Sequence, residues 1–167
     1  MKIIFLDIDG VLNDHEITAG GCCGIKLDSV KRLNRLLFAV PSAQIVLISA
    51  WRYMILCKDM TIKGMEYLLQ THGLACRGRI IGITETDGPM EGVVDGDDPE
   101  ENDSRVYEWG IRERRRQVEK AIEFWKPKSW VILDDLPLAM PRHVQTDDGH
   151  GVTDEDMLKA IAFLDLI

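Results

Sequence analysis

The chain has 167 residues, of which 46% are apolar and 29% charged, and its formal net charge is −8. These proportions are typical of one soluble globular domain with its own core, and they exclude a low-complexity or disordered chain. No apolar run is long enough to span a bilayer and no signal-peptide pattern opens the sequence, so we expect a cytoplasmic protein with no membrane partner.

The negative charge is concentrated in one segment. Residues 85–103 contain nine acidic residues and no Lys or Arg, whereas the rest of the chain has 19 acids against 20 bases. The charge therefore gives no support to a broad nucleic-acid-binding surface, although it leaves room for a small local one. Several glycines and prolines between 88 and 99, with few apolar residues, predict a flexible acidic loop over about 85–111.

Hydrophobic periodicity predicts strands and helices that alternate along the chain. The predicted strands begin at residue 3, where the first runs up to the aspartates, and then lie at 44–49, 79–83 and 129–135. The predicted helices lie at 27–37, about 58–71, about 112–125 and about 153–164, and the last of them begins with a Thr-x-x-Asp capping pattern. A turn with a small hairpin is predicted at 14–24, between the first strand and the first helix. This order predicts one α/β domain over 1–167, with a parallel sheet between two layers of helices.

Two aspartates follow the first strand. Asp7 and Asp9 are two residues apart, so their side chains point the same way, and Gly10 follows them. Ligand sites of open α/β sheets lie beyond the carboxyl ends of strands. Two adjacent carboxylates repel each other unless a cation joins them, which indicates a nucleophile or metal ligand beside a general acid, around Mg²⁺. The alternative is a plain strand that runs into an Asp/Gly turn. We expect Asn13 to brace the turn after the aspartates rather than to react.

Two more predicted strands end in reactive groups, namely Ser49 and the pair Asp134 and Asp135. Right-handed crossovers bring all the strand ends to one edge of the sheet, so these groups should meet the first pair of aspartates. Phosphoryl transfer accounts for the set. Asp7 attacks phosphorus, a second acid protonates the leaving oxygen, Asp134 and Asp135 complete an oxygen-only shell for Mg²⁺, and Ser49 binds phosphate.

A basic residue is still needed to offset the charge on the transferred group. Four arginines open the predicted helix before the last strand, at 112, 114, 115 and 116. Cations at a helix N-terminus oppose the helix dipole by roughly 0.3–1 kcal/mol each, which indicates an anionic ligand there or pairing with the acidic segment. Arg52 has two interpretations. It contacts substrate phosphate, or it anchors the start of its helix.

In this order, the motifs resemble those of the haloacid dehalogenase (HAD) superfamily of phosphohydrolases. The resemblance covers nearly the whole chain and rests on Asp7-x-Asp9-Gly10-Val-Leu-Asn13, on Ser49 after a buried strand, on a basic residue in a later helix and on Asp134-Asp135. Finer features, such as Ser49-Ala-Trp51-Arg52 and Ile81-Gly-Ile-Thr84, are similar to the HAD domains of multidomain Swiss Army knife RNA-repair proteins.

The resemblance implies a Rossmann-like core with Asp7 as nucleophile and Asp9 as acid and base. It implies Mg²⁺ held by Asp7, the Asp9 backbone carbonyl and Asp134 or Asp135. It also implies phosphate binding by Ser49 and by one basic residue, for which the spacing to the last strand favours Arg114, followed by Arg115. The subfamily of HAD domains from Swiss Army knife RNA-repair proteins usually has Arg-Gly at this position, whereas this chain has a run of arginines and a long acidic segment before it.

Too few residues separate the first motif from Ser49 to hold a cap domain, so we expect an uncapped or minimally capped site that is open to large substrates. The expected reaction is Mg²⁺-dependent hydrolysis of a phosphomonoester on an RNA or DNA end or on a nucleotide. Two alternatives stay open. One is a phosphoacceptor signalling domain, and the other is a catalytically silent binding module with the HAD fold.

Overall fold

The computed structural model describes residues 1–13, 24–85 and 99–165. Residues 14–23 of the predicted turn and hairpin and residues 86–98 of the predicted acidic loop lie outside this part of the chain. The elements are β1 (Lys2–Leu6), α1 (Leu27–Ala39), β2 (Ala43–Leu47), a 3₁₀ turn (Ala50–Arg52), α2 (Tyr53–Leu56), α3 (Ile62–Thr71), β3 (Ile80–Ile83), α4 (Pro99–Trp125), β4 (Ser129–Asp134), β5 (His143–Gln145) and α5 (Asp154–Asp165). Among the described residues, no helix is both long and apolar enough to cross a membrane.

The strands form one five-stranded sheet in the order β3-β2-β1-β4-β5, and every pair is parallel. The predicted α/β fold with a parallel sheet is therefore confirmed. The central strand β1 pairs with β2 and β4 in matching register, so that Leu6 lies beside Leu47 on one side and Leu133 on the other. The chain runs outwards from β1 to β3 and then returns to β4, and this reversal opens a crevice between the carboxyl ends of β1 and β4.

Helices cover both faces of the sheet because successive strand residues point to opposite sides. Ile4 and Leu6 pack in a core with α1, α3 and α5. Ile3 and Phe5 pack on the other face, in a second core with α4. Burial on both faces explains why the strands read as continuous apolar runs.

Helix α4 differs from its prediction. It begins at Pro99 rather than near Arg112, so residues 99–111, which we expected in the acidic loop, are helical. Proline at the first helical position and acidic residues in the first turn both favour a helix start, and this signal outweighs the low apolar content. The arginine run therefore lies in the middle of a 27-residue helix, and the argument from the helix dipole does not apply to it.

One further difference and one confirmed prediction concern the last third of the chain. Strand β5 was not predicted, because three residues are too few to show a pattern. The predicted capping pattern at the start of α5 is confirmed, since the Thr153 hydroxyl accepts from the Asp156 amide and Asp156 Oδ2 accepts from the Thr153 amide.

Candidate active site

Asp7 and Asp134 lie next to each other where β1 and β4 end. The Asp7 amide donates to the Leu133 carbonyl at 2.9 Å, which continues the ladder between the two strands. Both side chains are buried, with 4% of Asp7 and none of Asp134 exposed. Two buried carboxylates in the crevice between neighbouring strands need a cation, and the described residues supply one.

Arg114 lies between the two aspartates. One terminal nitrogen, Nη1, is 2.9 Å from Asp7 Oδ2 and 2.5 Å from Asp134 Oδ2. Burial lowers the pKa of Arg114, but the charges of Asp7 and Asp134 outweigh this effect and the net shift is upwards, so the guanidinium stays charged. Of the two arginines favoured by spacing, the structure brings Arg114 to the carboxylates and leaves Arg115 exposed on the outer side of α4.

Asp135 adds a third carboxylate. Single oxygens of Asp7, Asp134 and Asp135 all lie within 4.8 Å of one another. Burial raises the pKa of Asp134 well above its ordinary value, Arg114 opposes that shift and Asp7 adds to it. A divalent cation between these oxygens would favour the ionised form of all three. Three carboxylate oxygens at this spacing form a donor set that suits a hard cation such as Mg²⁺.

Asp9 is held apart from this cluster by two side chains. Trp51 Nε1 donates to both of its carboxylate oxygens at 3.1 Å, and Asn13 Nδ2 donates to Oδ1 at 2.8 Å. Asn13 also accepts from the Gly10 amide at 3.0 Å, which matches its predicted role as a brace of the turn. The Asp9 carboxylate is therefore not among the oxygens that come together in the cluster of Asp7, Asp134 and Asp135.

Gly10 allows the turn after β1 to pass close to Asp135. Its φ is +69°, and a Cβ built on it would lie 2.6 Å from Asp135 Cγ. The Gly10 carbonyl accepts from the Thr146 hydroxyl at 2.7 Å, and the Thr146 amide donates to the Asp134 carbonyl at 3.1 Å. Thr146, which follows β5, thus ties together the turns that carry the aspartates.

Ser49 and Arg52 begin the segment after β2. Ser49 is fully buried, and its hydroxyl caps the 3₁₀ turn by accepting from the Trp51 amide at 3.3 Å. Arg52 is 2% exposed, and its guanidinium donates to the carbonyls of Ile48 and Ser49 and to Gln117 Oε1. These contacts correspond to the anchoring interpretation of Arg52 rather than to phosphate contact.

A network of polar side chains fixes α4 against the sheet. Gln117 accepts from Arg52 at 3.1 Å and from the buried Thr84 hydroxyl at 3.4 Å, and it donates to Glu113. Arg116 pairs with Glu113 and, at 2.6 Å, with Glu85. These contacts set the rotation of α4 that directs Arg114 into the crevice.

A polar cleft of about 310 Å³ adjoins the aspartate cluster. Its lining residues are Tyr107, Asp135, Gln145, Thr146, Asp147 and Asp148. Tyr107 precedes Arg114 by seven residues, so the two share one face of α4. The sequence did not point to Tyr107 or Gln145, because Tyr107 falls in the segment expected to be a loop and Gln145 in the unpredicted strand.

One family model matches the chain. The HAD domain in Swiss Army Knife RNA repair proteins is matched by residues 3–157, which contain every side chain of the site described above. No curated protein and no solved structure was found to match.

Proposed function

The chain belongs to the family of HAD domains found in Swiss Army Knife RNA repair proteins, and from this premise we propose that it is a Mg²⁺-dependent phosphatase that works through an aspartyl-phosphate at Asp7. The observation that carries the proposal is the convergence of three carboxylates, of Asp7, Asp134 and Asp135, with Arg114 at one crevice of the sheet. This arrangement can hold a metal and attract a phosphate dianion at the same place.

The three carboxylates would hold the metal, and Mg²⁺ would supply charge that draws the phosphate oxygens towards the nucleophile. Arg114 already offsets the repulsion between Asp7 and Asp134. We propose that Arg114 also contacts the phosphoryl group that Asp7 receives.

In the first step a carboxylate oxygen of Asp7 attacks phosphorus, and the bond between phosphorus and the leaving oxygen breaks. The Asp7 carboxylate is oriented by the Ile8 amide, which donates to Oδ1 at 2.7 Å, and by Arg114 on Oδ2. A nucleophile fixed at both oxygens loses little freedom on reaching the transition state, and this orientation lowers the barrier.

Asp9 is suited to the proton transfers of both steps. It gives a proton to the leaving oxygen in the first step and takes one from water in the second, when water attacks the aspartyl-phosphate and releases Asp7 and inorganic phosphate. Its contacts with Trp51 and Asn13 hold the carboxylate in one position at the same strand end as Asp7. The family description supports a substrate from nucleic-acid repair, such as a phosphorylated RNA or DNA end or a nucleotide.

Turnover tests the proposal. We expect the wild type to hydrolyse 4-nitrophenyl phosphate with Mg²⁺ and not with EDTA, and we expect Asp7→Asn to lose activity by a factor on the order of 10³ or more. Asp165→Asn is the matched control, because Asp165 pairs with Lys2 at the opposite edge of the sheet. Folded wild type that incorporates phosphate once without turnover would favour a phosphoacceptor domain, and no reaction at all would favour a silent module.

A further inference from the structure

The polar cleft beside the aspartate cluster begins where the leaving group of a bound phosphomonoester would emerge. Asp135 belongs both to the cluster and to the cleft lining. Carboxylate oxygens of Asp7 and Asp135 lie within 4.8 Å of each other, so a substrate whose phosphate reacts at Asp7 would find space for the rest of the molecule in the cleft that Asp135 lines. Its volume of about 310 Å³ lies at the lower end of the range for small-molecule pockets and can accommodate one nucleoside.

The charge around the cleft is negative. Asp147 and Asp148 are exposed in its lining, and Asp135 is partly exposed. His150, the neighbouring basic group, is paired with Asp147 at 3.0 Å. A second phosphate group on the substrate would lie against these carboxylates, and like charges in a partly enclosed cleft repel each other strongly.

The sequence around the site offers little positive charge to counter this repulsion. The described residues that follow strands β1, β3, β4 and β5, at 7–13, 24–25, 84–85, 135–141 and 146–153, contain no Lys or Arg. Among the described residues, three arginines next to the strand ends are each paired within the protein. Arg114 binds two aspartates, Arg52 binds backbone carbonyls, and Arg116 binds Glu113 and Glu85. None of the described residues that line the cleft is a Lys or Arg, so a polyanion would meet no basic side chain among them.

The cleft lining suits an uncharged group with a flat ring and hydroxyls. Tyr107 is 53% exposed and presents an aromatic face on which a base can stack. The carboxylates of Asp147 and Asp148 accept hydrogen bonds from hydroxyl groups, and the Gln145 side chain both donates and accepts. We propose that the cleft binds the nucleoside of a nucleoside monophosphate and that the enzyme discriminates against substrates with further phosphates. This proposal rests on the proposed phosphatase function.

Comparison of kcat/KM among substrates tests the proposal in the wild type with Mg²⁺. Adenosine 5′-monophosphate should exceed both adenosine 5′-diphosphate and a 5′-phosphorylated trinucleotide by about tenfold or more. If the trinucleotide or the diphosphate is the better substrate, the proposal is overturned. Hydrolysis of 4-nitrophenyl phosphate in the same preparation keeps the two proposals distinct, since its absence contradicts the phosphatase function itself.

Two variants locate the effect in the cleft. Asp148→Lys should lower the ratio of kcat/KM for the monophosphate to kcat/KM for the trinucleotide at least threefold. Glu123→Lys makes the same change of charge at an exposed site near the other end of α4, and it should leave this ratio as in the wild type. Tyr107→Ala should lower kcat/KM for adenosine 5′-monophosphate about tenfold more than for ribose 5-phosphate, which has no base. If the two lysine variants change the preference for the monophosphate equally, the assignment of the cleft is contradicted. It is also contradicted if Tyr107→Ala lowers kcat/KM equally for adenosine 5′-monophosphate and ribose 5-phosphate.

Discussion

The indole Nε1 of Trp51 donates to both carboxylate oxygens of Asp9 at 3.1 Å, which joins the turn after β2 to the turn after β1. The rest of the Trp51 ring packs against the core on the α1 side of the sheet, so the indole is a fixed donor. Together with Asn13, it confines Asp9 to one orientation. The residue proposed as general acid is therefore positioned by a side chain 42 residues away in the chain.

We predict that Trp51→Phe slows the reaction most for substrates with poor leaving groups. The phenyl ring keeps most of the packing but loses the N–H, so Asp9 gains freedom to rotate. General acid catalysis contributes about 10²–10⁴ in rate, and we expect loss of part of it, about tenfold in kcat/KM for an alkyl phosphate. The loss should be much smaller for 4-nitrophenyl phosphate, whose leaving group needs no proton.

Trp130→Phe is the control for this prediction. It makes the same change of side chain at an indole whose buried N–H has no hydrogen-bond partner among the described residues. We expect its ratio of alkyl to nitrophenyl activity to equal that of the wild type. A Trp51→Phe variant that loses both activities equally would show that Trp51 stabilises the fold without positioning Asp9.

Removal of Arg114 should destabilise the metal-free protein. In Arg114→Met the carboxylates of Asp7 and Asp134 face each other without a cation, and breaking a buried ion pair in this way costs about 3–5 kcal/mol. We expect a drop of this size in the free energy of unfolding, measured by urea denaturation in EDTA. Mg²⁺ should recover much of it, because the ion replaces the lost charge.

The neighbouring variant Arg115→Met separates this effect from a general loss of charge on α4. Arg115 is exposed, so its replacement should change the free energy of unfolding by no more than about 0.5 kcal/mol. If both variants lose the same stability, or if Mg²⁺ stabilises neither, Arg114 does not act as the internal cation of the cluster.

The strands and the main site residues could be predicted because their signals are local. A buried parallel strand is a continuous apolar run, and the abrupt change to Asp7 or Asp134 at its end marks the carboxyl edge directly. Parallel topology then brings these ends together without further information. The same locality explains why the capping pattern at Thr153 was found.

The remaining features depend on contacts between distant segments. The acidic composition of 99–111 resembles that of a loop, and the helix start at Pro99 is visible only once α4 is seen to continue past Arg112. Whether Arg52 binds phosphate or backbone depends on Gln117, which is 65 residues away. The contact between Trp51 and Asp9 follows from the alignment of two strand ends, and no sequence spacing encodes it.

The two described cysteines should differ in reactivity. Burial raises the pKa of Cys76 to about 11, and the charge of Glu66 adds to the shift, whereas Cys57 is exposed. At pH 8 about one Cys76 in a thousand is then a thiolate, the form that reacts. We expect iodoacetamide to modify Cys57 and spare Cys76 in the native protein, as read by mass spectrometry of peptides, with both modified in urea. Rapid native labelling of Cys76 at pH 8 would contradict its burial.

The pKa of Cys76 also predicts the sign of a stability change at high pH. Because the folded state disfavours the thiolate, the folded protein binds the thiol proton more tightly than the unfolded chain. The free energy of unfolding should therefore fall as pH rises from about 9 to about 11, and Cys76→Ala should remove this part of the fall. A parallel pH dependence in wild type and variant would assign the change to other groups.

We predict that replacement of Gly10 weakens metal binding, and that this effect is separate from the strain that it places on the backbone. In Gly10→Ala the new methyl group would lie 2.6 Å from Asp135 Cγ, so Asp135 must move away from Asp7 and Asp134. Gly78→Ala is a matched control, because Gly78 has a φ of +70° and nothing within 4 Å of an added Cβ. Both variants incur the strain of a left-handed alanine, about 1–2 kcal/mol in the free energy of unfolding. Only Gly10→Ala should also weaken the binding of Mg²⁺. Weaker binding is measured as a rise in the Mg²⁺ concentration that gives half-maximal stabilisation in thermal unfolding. Equal Mg²⁺ dependence in the two variants would mean that Asp135 is not a ligand of the ion.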